Sequence, residues 1–287
     1  MWSKQSWFIY ALTTTVCWGI WGAFIEVSQK AGFPPTLGFI AWALAMTIPM
    51  FFALKQINWR PDKKWSKIKD GLFAGLCGAG GQLALLQALK SGPAYLVFPI
   101  VSLYPLLTVC LSILFLKERP SVRQLFGISI ALLAIILLSW KKNVDSVGIQ
   151  GDWLFFAFMV FILWGIQAVF FKTANNKSKA ESIFFYMTIA GLCMIPFALM
   201  MTDFSKPIYW GFRGPYLAFL IQLLNATGAL TIVYAFRYGK AIVVAPMTAL
   251  APMISVLLSL MMYQVVPELA LLSGIILAVF AIVLLSK

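Results

Sequence analysis

Polar and aromatic side chains that could bind a small molecule lie within long apolar stretches of this 287-residue sequence. An amide or indole facing hydrocarbon would leave its polar groups without partners. We therefore expect these side chains to point inward, toward one another or toward a bound solute. The chemistry they support is reversible binding. The predicted substrate-binding residues are Trp18, Trp21, Gln82, Ser102, Tyr104, Trp164, Gln167, Gln222, Asn225 and Thr248.

Several of these residues are spaced so that they share one face of a helix. The pairs three residues apart are Trp18–Trp21, Trp164–Gln167 and Gln222–Asn225. Residues at this spacing are neighbours on a helix surface. Hydrogen bonding between helices and dense packing are alternative roles for the amides and tryptophans, and both stay open here. A cavity walled by tryptophan, tyrosine and amides, without a fixed charge, suits a neutral, zwitterionic or aromatic small molecule.

The residue types that catalysis requires are missing from these stretches. The sequence has no histidine, which excludes imidazole catalysis and histidine-ligated metals. It also lacks the HExxH, GxSxG and P-loop motifs. Its nine acidic residues lie near the ends of the apolar stretches or between them. This placement argues against a central proton relay and favours facilitated diffusion or exchange. We predict no catalytic residue, no metal and no cofactor.

The composition indicates a protein whose solvent is the lipid bilayer. Hydrophobic residues make up 62% of the chain and charged residues 11%, with a mean hydropathy of +0.91, whereas about 25% of the residues of a soluble domain are charged. The net charge of +13 comes from scattered basic residues. We therefore predict the bilayer and a small-molecule substrate as partners, and no nucleic acid. The four cysteines are interpreted as buried apolar residues.

Ten stretches are long enough to cross a membrane, since about 20 apolar residues span a hydrocarbon core about 30 Å thick. The first is interpreted as a retained span rather than a cleaved signal peptide. If the amino terminus is cytoplasmic, 16 of the 22 Lys and Arg residues fall on the cytoplasmic side. We therefore predict a multi-pass protein of the cytoplasmic (inner) membrane with both termini cytoplasmic. The predicted spans are 7–27, 35–55, 70–90, 94–116, 121–140, 153–172, 182–201, 215–236, 241–263 and 268–286.

The chain contains an internal duplication. Residues 88–139 recur as residues 235–286, an offset of 147, with 20 of 52 positions identical and no gap. Five predicted spans separate equivalent points, and an odd number of crossings inverts the second copy relative to the first. The sequence therefore predicts an all-α integral membrane fold of ten transmembrane helices, built as two inverted-topology five-helix repeats, residues 1–142 and 143–287.

Four prolines of the duplication lie inside the fourth and ninth predicted spans. They are Pro99, Pro105, Pro246 and Pro252. Proline removes an amide donor and disrupts the preceding turn, and broken backbone at membrane depth occurs where protein or a water-filled cavity surrounds it. A static kink and a hinge are alternative roles for these prolines, and we favour the hinge. Stripes of small residues permit close helix contact within a monomer or a homodimer.

Short motifs repeat in the same order in each half. Trp-Gly-Ile occupies 18–20 and again 164–166, and Leu116-Lys117-Glu118-Arg119-Pro120 joins the fourth and fifth spans. The run from Leu125 to Leu138 closes the first half. In this order and repetition the chain resembles the EamA family of the drug/metabolite transporter superfamily. One departure is visible, because Val265 stands where the first half has Glu118.

Inverted repeats that enclose a shared site at the bilayer midplane are typical of secondary transporters. The sequence therefore predicts a secondary transporter that moves a small metabolite, such as an amino acid, through a central cavity by alternating access. The resemblance alone implies export or exchange, since the family includes many metabolite exporters. An importer of sugars or drug-like solutes on the same scaffold is the alternative. A membrane-embedded enzyme or scaffold protein is a more remote one.

Overall fold

A computed structural model of the protein describes residues 6–91, 97, 100–138, 152–263 and 268–285. Regular secondary structure in these ranges is helical, which confirms the predicted all-α class. The helices are α1 Ser6–Lys30, α2 Pro35–Ala45, α3 Thr47–Gln56, α4 Trp65–Ser91, α5 Tyr104–Leu114, α6 Val122–Leu138, α7 Trp153–Asn175, α8 Ala180–Cys193, α9 Ile195–Met200, α10 Pro215–Tyr238, α11 Ala241–Thr248, α12 Ala251–Tyr263 and α13 Leu269–Leu285.

Seven helical segments of the described residues are long and apolar enough to cross a membrane. They are Ser6–Lys30, Pro35–Gln56, Trp65–Leu89, Trp153–Asn175, Ala180–Met200, Pro215–Tyr238 and Ala241–Leu258. Shorter apolar helices lie where the fourth, fifth and tenth spans are predicted: Ile100–Leu114, Val122–Leu138 and Leu269–Leu285. The number of ten crossings stays a prediction. The boundary between the repeats at 142/143 and the two chain ends lie outside the described residues. Their predicted positions stay predictions.

Two predicted spans of each half are interrupted shortly before a proline. Turns at Leu103 and Leu250 precede Pro105 and Pro252, as the duplication predicts. Pro246 departs from the expectation of a break, because it lies inside α11, which continues to Thr248. Pro99 lies outside the described residues.

The sequence analysis missed a second pair of breaks. Met46 separates α2 from α3, and Met194 separates α8 from α9. Pro49 and Pro196 follow these breaks and are again 147 positions apart. The missing proline amide and the clash with the preceding turn account for the break. The four interrupted spans therefore form two pairs, and the members of each pair are equivalent under the repeat.

Pairs of helices that pack together in one place have equivalent pairs elsewhere under the repeat. The α1–α10 contact corresponds to the α4–α7 contact, while α6 packs on its own equivalent, α13. Gly127 near the start of α6 faces Leu285 at the end of α13, and Gly274 faces Leu138 in the same way. The two helices are therefore antiparallel and related by a twofold axis across the bundle. This is the inverted two-repeat architecture that the sequence predicts.

A tryptophan–glycine contact occurs twice, once on each side of this axis. Trp18 Nε1 of α1 donates to the Asn225 carbonyl of α10 (3.3 Å), and Trp164 Nε1 of α7 donates to the Gly78 carbonyl of α4 (3.4 Å). Each indole lies over a glycine of the facing helix. A Cβ placed there would approach Cδ1 of the indole to 2.6 Å in both cases. Those glycines are Gly228 and Gly81. The close approach of both helix pairs therefore requires glycine at these positions.

We expect Gly81→Ala to lower the thermal stability of the detergent-solubilised protein, because the added methyl group collides with the Trp164 indole. Overpacking of this kind costs about 1–3 kcal/mol. Gly80→Ala is the matched control, since a Cβ there meets only Leu163 Cδ1 at 3.7 Å and alanine favours the helix by about 1 kcal/mol. Equal melting temperatures for the two variants would contradict this account of the contact.

Candidate functional site

The predicted residues of α1 and α10 meet at one buried amide. Gln222 Oε1 accepts from Trp21 Nε1 (3.0 Å) and from Asn225 Nδ2 (3.2 Å). Its Nε2 donates to the carbonyl of Gly38 on α2 (3.1 Å). The oxygen and the nitrogen of the Gln222 amide are therefore both hydrogen-bonded, and together they join α1, α2 and α10. Gln222 therefore positions Trp21 and Asn225, and the oxygen of the Asn225 side chain is left for another partner.

The equivalent residues of the other half form a second group. Gln167 Nε2 of α7 donates to the Ala74 carbonyl of α4 (2.9 Å). The Tyr104 ring of α5 packs edge-on against Trp164, with centroids 5.9 Å apart. The Tyr104 hydroxyl interacts with the Thr248 side chain of α11. Because α5 and α11 belong to different halves, this contact joins them.

Two predicted residues have side chains without a hydrogen-bond partner in the described part of the chain. Gln82 lies one turn beyond Gly78 on α4 and is half-buried. Ser102 is half-buried just before the break at Leu103. A half-buried amide without a partner loses the free energy of its hydration. Gln82 is therefore a better candidate to bind a solute or water than Gln222. Of the ten predicted residues only Gln222 and Thr248 are buried, and the others are half-buried.

A cleft opens between the two halves at the end of the bundle where α1 begins. Its volume is about 470 Å³. The first half contributes residues from α1 and α3, and the second half contributes residues from α8 and α10. We call it the tyrosine cleft, and its lining residues are Tyr10, Gln56, Glu181, Leu230, Thr231, Tyr234 and Tyr238.

Stacked rings and one carboxylate define the tyrosine cleft. The Tyr10 ring stacks on Tyr234 with centroids 5.0 Å apart, and on Tyr238 at 6.0 Å. The Tyr234 hydroxyl donates to Glu181 Oε1 (2.8 Å), and the Gln56 amide oxygen lies 3.1 Å from the same hydroxyl. These cleft residues were not among those predicted from the sequence. The four-residue spacing of Tyr234 and Tyr238, which places both on one helix face, was the available signal.

The cleft continues toward the predicted residues along the α1–α10 contact. Thr231, which lines the cleft, has its hydroxyl 2.8 Å from that of Thr14. One turn further along α1 lies Trp18, which reaches Asn225. Nine residues of α10 separate Tyr234 from Asn225, which is about 14 Å along a helix. A polar seam therefore runs from the cleft into the bundle.

Three equivalent positions at the opposite end of the bundle are apolar. Phe156, Val160 and Ala84 replace Tyr10, Thr14 and Thr231 under the repeat. Val160 is fully buried there, in a cluster of apolar side chains. That cluster consists of Ala84, Leu85, Ala88, Val97, Val101, Trp153, Ala157 and Val160. The described residues therefore form a polar opening at one end and an apolar plug at the other.

Charged residues hold the connection between α10 and α11, beside the cleft. Glu118 accepts from the backbone amides of Ala241 (3.0 Å) and Ile242 (2.9 Å), the first two residues of α11. Lys172 Nζ donates to the carbonyl of Gly239 (2.6 Å), just after α10. Glu118 therefore caps α11, which gives this acid a structural role. Its counterpart Val265 lies outside the described residues.

Asp62 joins the α3–α4 connection to the start of α8, next to Glu181. Its carboxylate accepts from Lys67 Nζ (2.8 Å) and from the Lys179 amide (3.1 Å), and its carbonyl accepts from the Tyr186 hydroxyl (2.6 Å). Burial alone would raise the pKa of Asp62. The hydrogen bonds from Lys67 and Lys179, with the charges of both lysines, outweigh burial and lower the pKa of this carboxyl. Asp62 therefore stays charged and holds this edge of the cleft.

The cysteines are free, and the described residues form no cluster of metal ligands. No three His, Cys, Asp or Glu side chains gather there in a way that could hold a metal. The interpretation of all four cysteines as buried is wrong for Cys110 and Cys193, which are exposed on the outside of the bundle. The outer surface is apolar in a membrane protein, so an exposed position suits the thiol equally well.

The sequence model of the EamA-like transporter family matches residues 5–140 and again residues 152–287. The chain belongs to the EamA-like transporter family. A solved crystal structure, 18% identical, shares the fold with a TM-score of 0.76 and covers 98% of this chain and 96% of its own.

Two curated relatives match part of the chain. An uncharacterized transporter of Archaeoglobus fulgidus is 28% identical over 152 residues, 50% of this chain and 51% of the relative. An uncharacterized protein of Methanocaldococcus jannaschii is 49% identical over 59 residues, 21% of this chain and 43% of the relative. The matched stretches thus span about half the length of these relatives.

We expect Glu118→Ala to destabilise the protein by about 1–3 kcal/mol, because two helix-terminal amides lose their acceptor. Thermal unfolding in detergent measures this loss. Arg119→Ala is the control, since Lys240 binds the Arg119 carbonyl rather than its exposed side chain. If both variants melt at the wild-type temperature, Glu118 does not cap α11.

Proposed function

We propose that the protein is a secondary transporter that carries a small organic metabolite across the membrane by alternating access. The observation that supports this proposal most directly is the tyrosine cleft, which lies between the two inverted halves and leads into the bundle. Family membership and the two-repeat architecture agree with it.

The asymmetry of the two ends supports a mechanism. The end with Tyr10 and Thr14 is polar and open, while the equivalent end with Phe156 and Val160 is apolar and packed. We infer that during transport the polar end closes over the tyrosine cleft, while the packed apolar side chains at the other end move apart. The breaks at Met46, Leu103, Met194 and Leu250 supply the points at which the helices can bend. In this proposal Pro105 and Pro252 mark hinges.

The predicted side chains of the α1–α10 group and of the α4–α7 group favour a neutral, zwitterionic or aromatic solute, such as an amino acid. Gln82 and the Asn225 oxygen offer hydrogen bonds, while Trp18, Trp164 and Tyr104 offer aromatic surface. Among the residues that the structure describes, no Lys or Arg lines the cleft, which disfavours a phosphorylated solute. We propose export or exchange as the direction. Flux measured from each side of the membrane distinguishes this from an importer.

We expect Gln82→Leu to reduce solute flux in proteoliposomes by about tenfold, because the variant keeps the volume but loses the free amide. Uptake of a labelled amino acid panel against wild-type protein measures the effect. Thr227→Val is the control, since Thr227 is exposed and bonds only to the Leu223 carbonyl of its own helix. Flux that is unchanged in Gln82→Leu would place the solute elsewhere. An absence of flux for every solute tested with wild-type protein would contradict the transporter proposal.

The proposal includes a location in the cytoplasmic (inner) membrane with both termini cytoplasmic. In this orientation the tyrosine cleft lies on the cytoplasmic side. In a variant without native cysteines, we expect a membrane-impermeant maleimide to label Ser205→Cys from outside intact cells. Lys63→Cys, at the opposite end of the bundle, should react only after the cells are broken. Both positions are exposed in connections between helices. The reverse pattern would invert the proposed orientation.

A further inference from the structure

We propose that the tyrosine cleft binds the ammonium group of an amine-bearing solute, with Glu181 as the counter-charge and the tyrosine rings as its walls. This inference rests on the proposed transport function and narrows it, because it requires a basic amine on the transported solute. It differs from the expectation of a site without a fixed charge, since Glu181 faces the cleft.

Glu181 has no cationic partner among the residues that the structure describes. Of the other buried or half-buried carboxylates whose side chains the structure describes, Asp62 pairs with Lys67 and Asp70 pairs with Lys177. Glu118 binds two backbone amides. Glu181 Oε1 receives only the Tyr234 hydroxyl, and no described residue donates to Oε2. In a chain with 22 basic residues, this partly buried negative charge is left available for a ligand.

The walls of the cleft suit an organic cation better than a metal ion. The rings of Tyr10, Tyr234 and Tyr238 are near-parallel, with interplanar angles of 22° and 16°. Tyr238 is 39% exposed, so part of this residue is accessible to a ligand. Aromatic faces attract ammonium groups within about 6 Å of the ring centroid, whereas a hard cation such as Ca²⁺ takes about six to eight oxygen ligands.

The size and depth of the cleft fit this assignment. Its volume of about 470 Å³ lies within the range of about 300–1,000 Å³ typical of small-molecule pockets. An ammonium held at Glu181 would leave the rest of the solute directed toward Thr231, from which the polar seam leads to Trp18. The cleft would thus select the amine at the entrance, while the seam accommodates the remainder of the molecule.

Binding to the purified full-length protein in detergent tests the proposal with three probes of one size. The probes are 2-phenylethylamine, L-phenylalanine and 3-phenylpropionate, and the apparent Kd comes from ligand-dependent thermal shifts. We expect the two amines to bind at least about tenfold more tightly than the acid that lacks an amine. Equal affinities, or no binding of the amines, would overturn the proposal.

Variants identify the groups responsible. Glu181→Gln keeps an acceptor for Tyr234 but loses the charge, so we expect about a tenfold weaker Kd for 2-phenylethylamine and no change for 3-phenylpropionate. The control is Asp203→Asn, an exposed acid at the other end of the bundle that bonds to Ser205 and Lys206. If Glu181→Gln binds the amine as wild-type protein does, the carboxylate is not the counter-charge.

A second pair of variants tests the aromatic wall even if Glu181→Gln fails to fold. Tyr238→Phe should retain the affinity for 2-phenylethylamine, and Tyr238→Leu should weaken it several-fold, because only the former keeps the ring. Equal affinities in these two variants would overturn the role of the ring.

Flux in proteoliposomes separates this proposal from the proposed function. Transport of amine-free solutes as fast as amines would overturn the amine site and leave the transporter assignment intact. Selective amine binding without flux of any solute would contradict transport and leave the binding site standing.

Discussion

The close approach of a tryptophan to a glycine of the opposite repeat is the contact on which the bundle depends. Trp18 packs over Gly228, and Trp164 packs over Gly81, in the same geometry. Hydrocarbon provides no hydrophobic driving force between helices, so packing and hydrogen bonds must hold a membrane bundle together. Each indole supplies both, because its ring fills the space above the glycine and its Nε1 reaches a carbonyl of the facing helix.

The two halves differ at positions nearer the ends of the bundle. The deep tryptophan contacts are the same in both halves, whereas Tyr10 and Thr14 correspond to Phe156 and Val160 nearer the ends. Two inverted copies of one packing scheme can exchange conformations at little cost, because each arrangement has a near-equivalent in the other half. In the proposed transporter, the different residues at these equivalent positions would give the two arrangements different affinities for a solute, which is the condition for a ligand to shift such an equilibrium.

The polar groups of the described helices divide into those that join helices through hydrogen bonds and those without a partner among the described residues. Gln222 and Glu118 have partners on more than one segment and fix the positions of α2, α10 and α11. Gln82 and one oxygen of Glu181 have no such partner among the described residues. A side chain that is already hydrogen-bonded contributes order, and one that is half-buried without a partner contributes affinity for a ligand.

The sequence by itself determined the helical class, the duplication and its inversion, because apolar length and a repeated register of prolines are local properties of the chain. It also paired Trp18 with Trp21 on one face, which holds in the structure. The tyrosine cleft was decided only by the tertiary structure. Tyr10, Gln56, Glu181 and Tyr234 lie on four different helices, and apart from the four-residue spacing of Tyr234 and Tyr238 nothing in the local sequence distinguishes them from residues at the membrane boundary. Packing of the two halves brings these side chains together, and contacts between positions so far apart leave no periodic pattern in a single sequence.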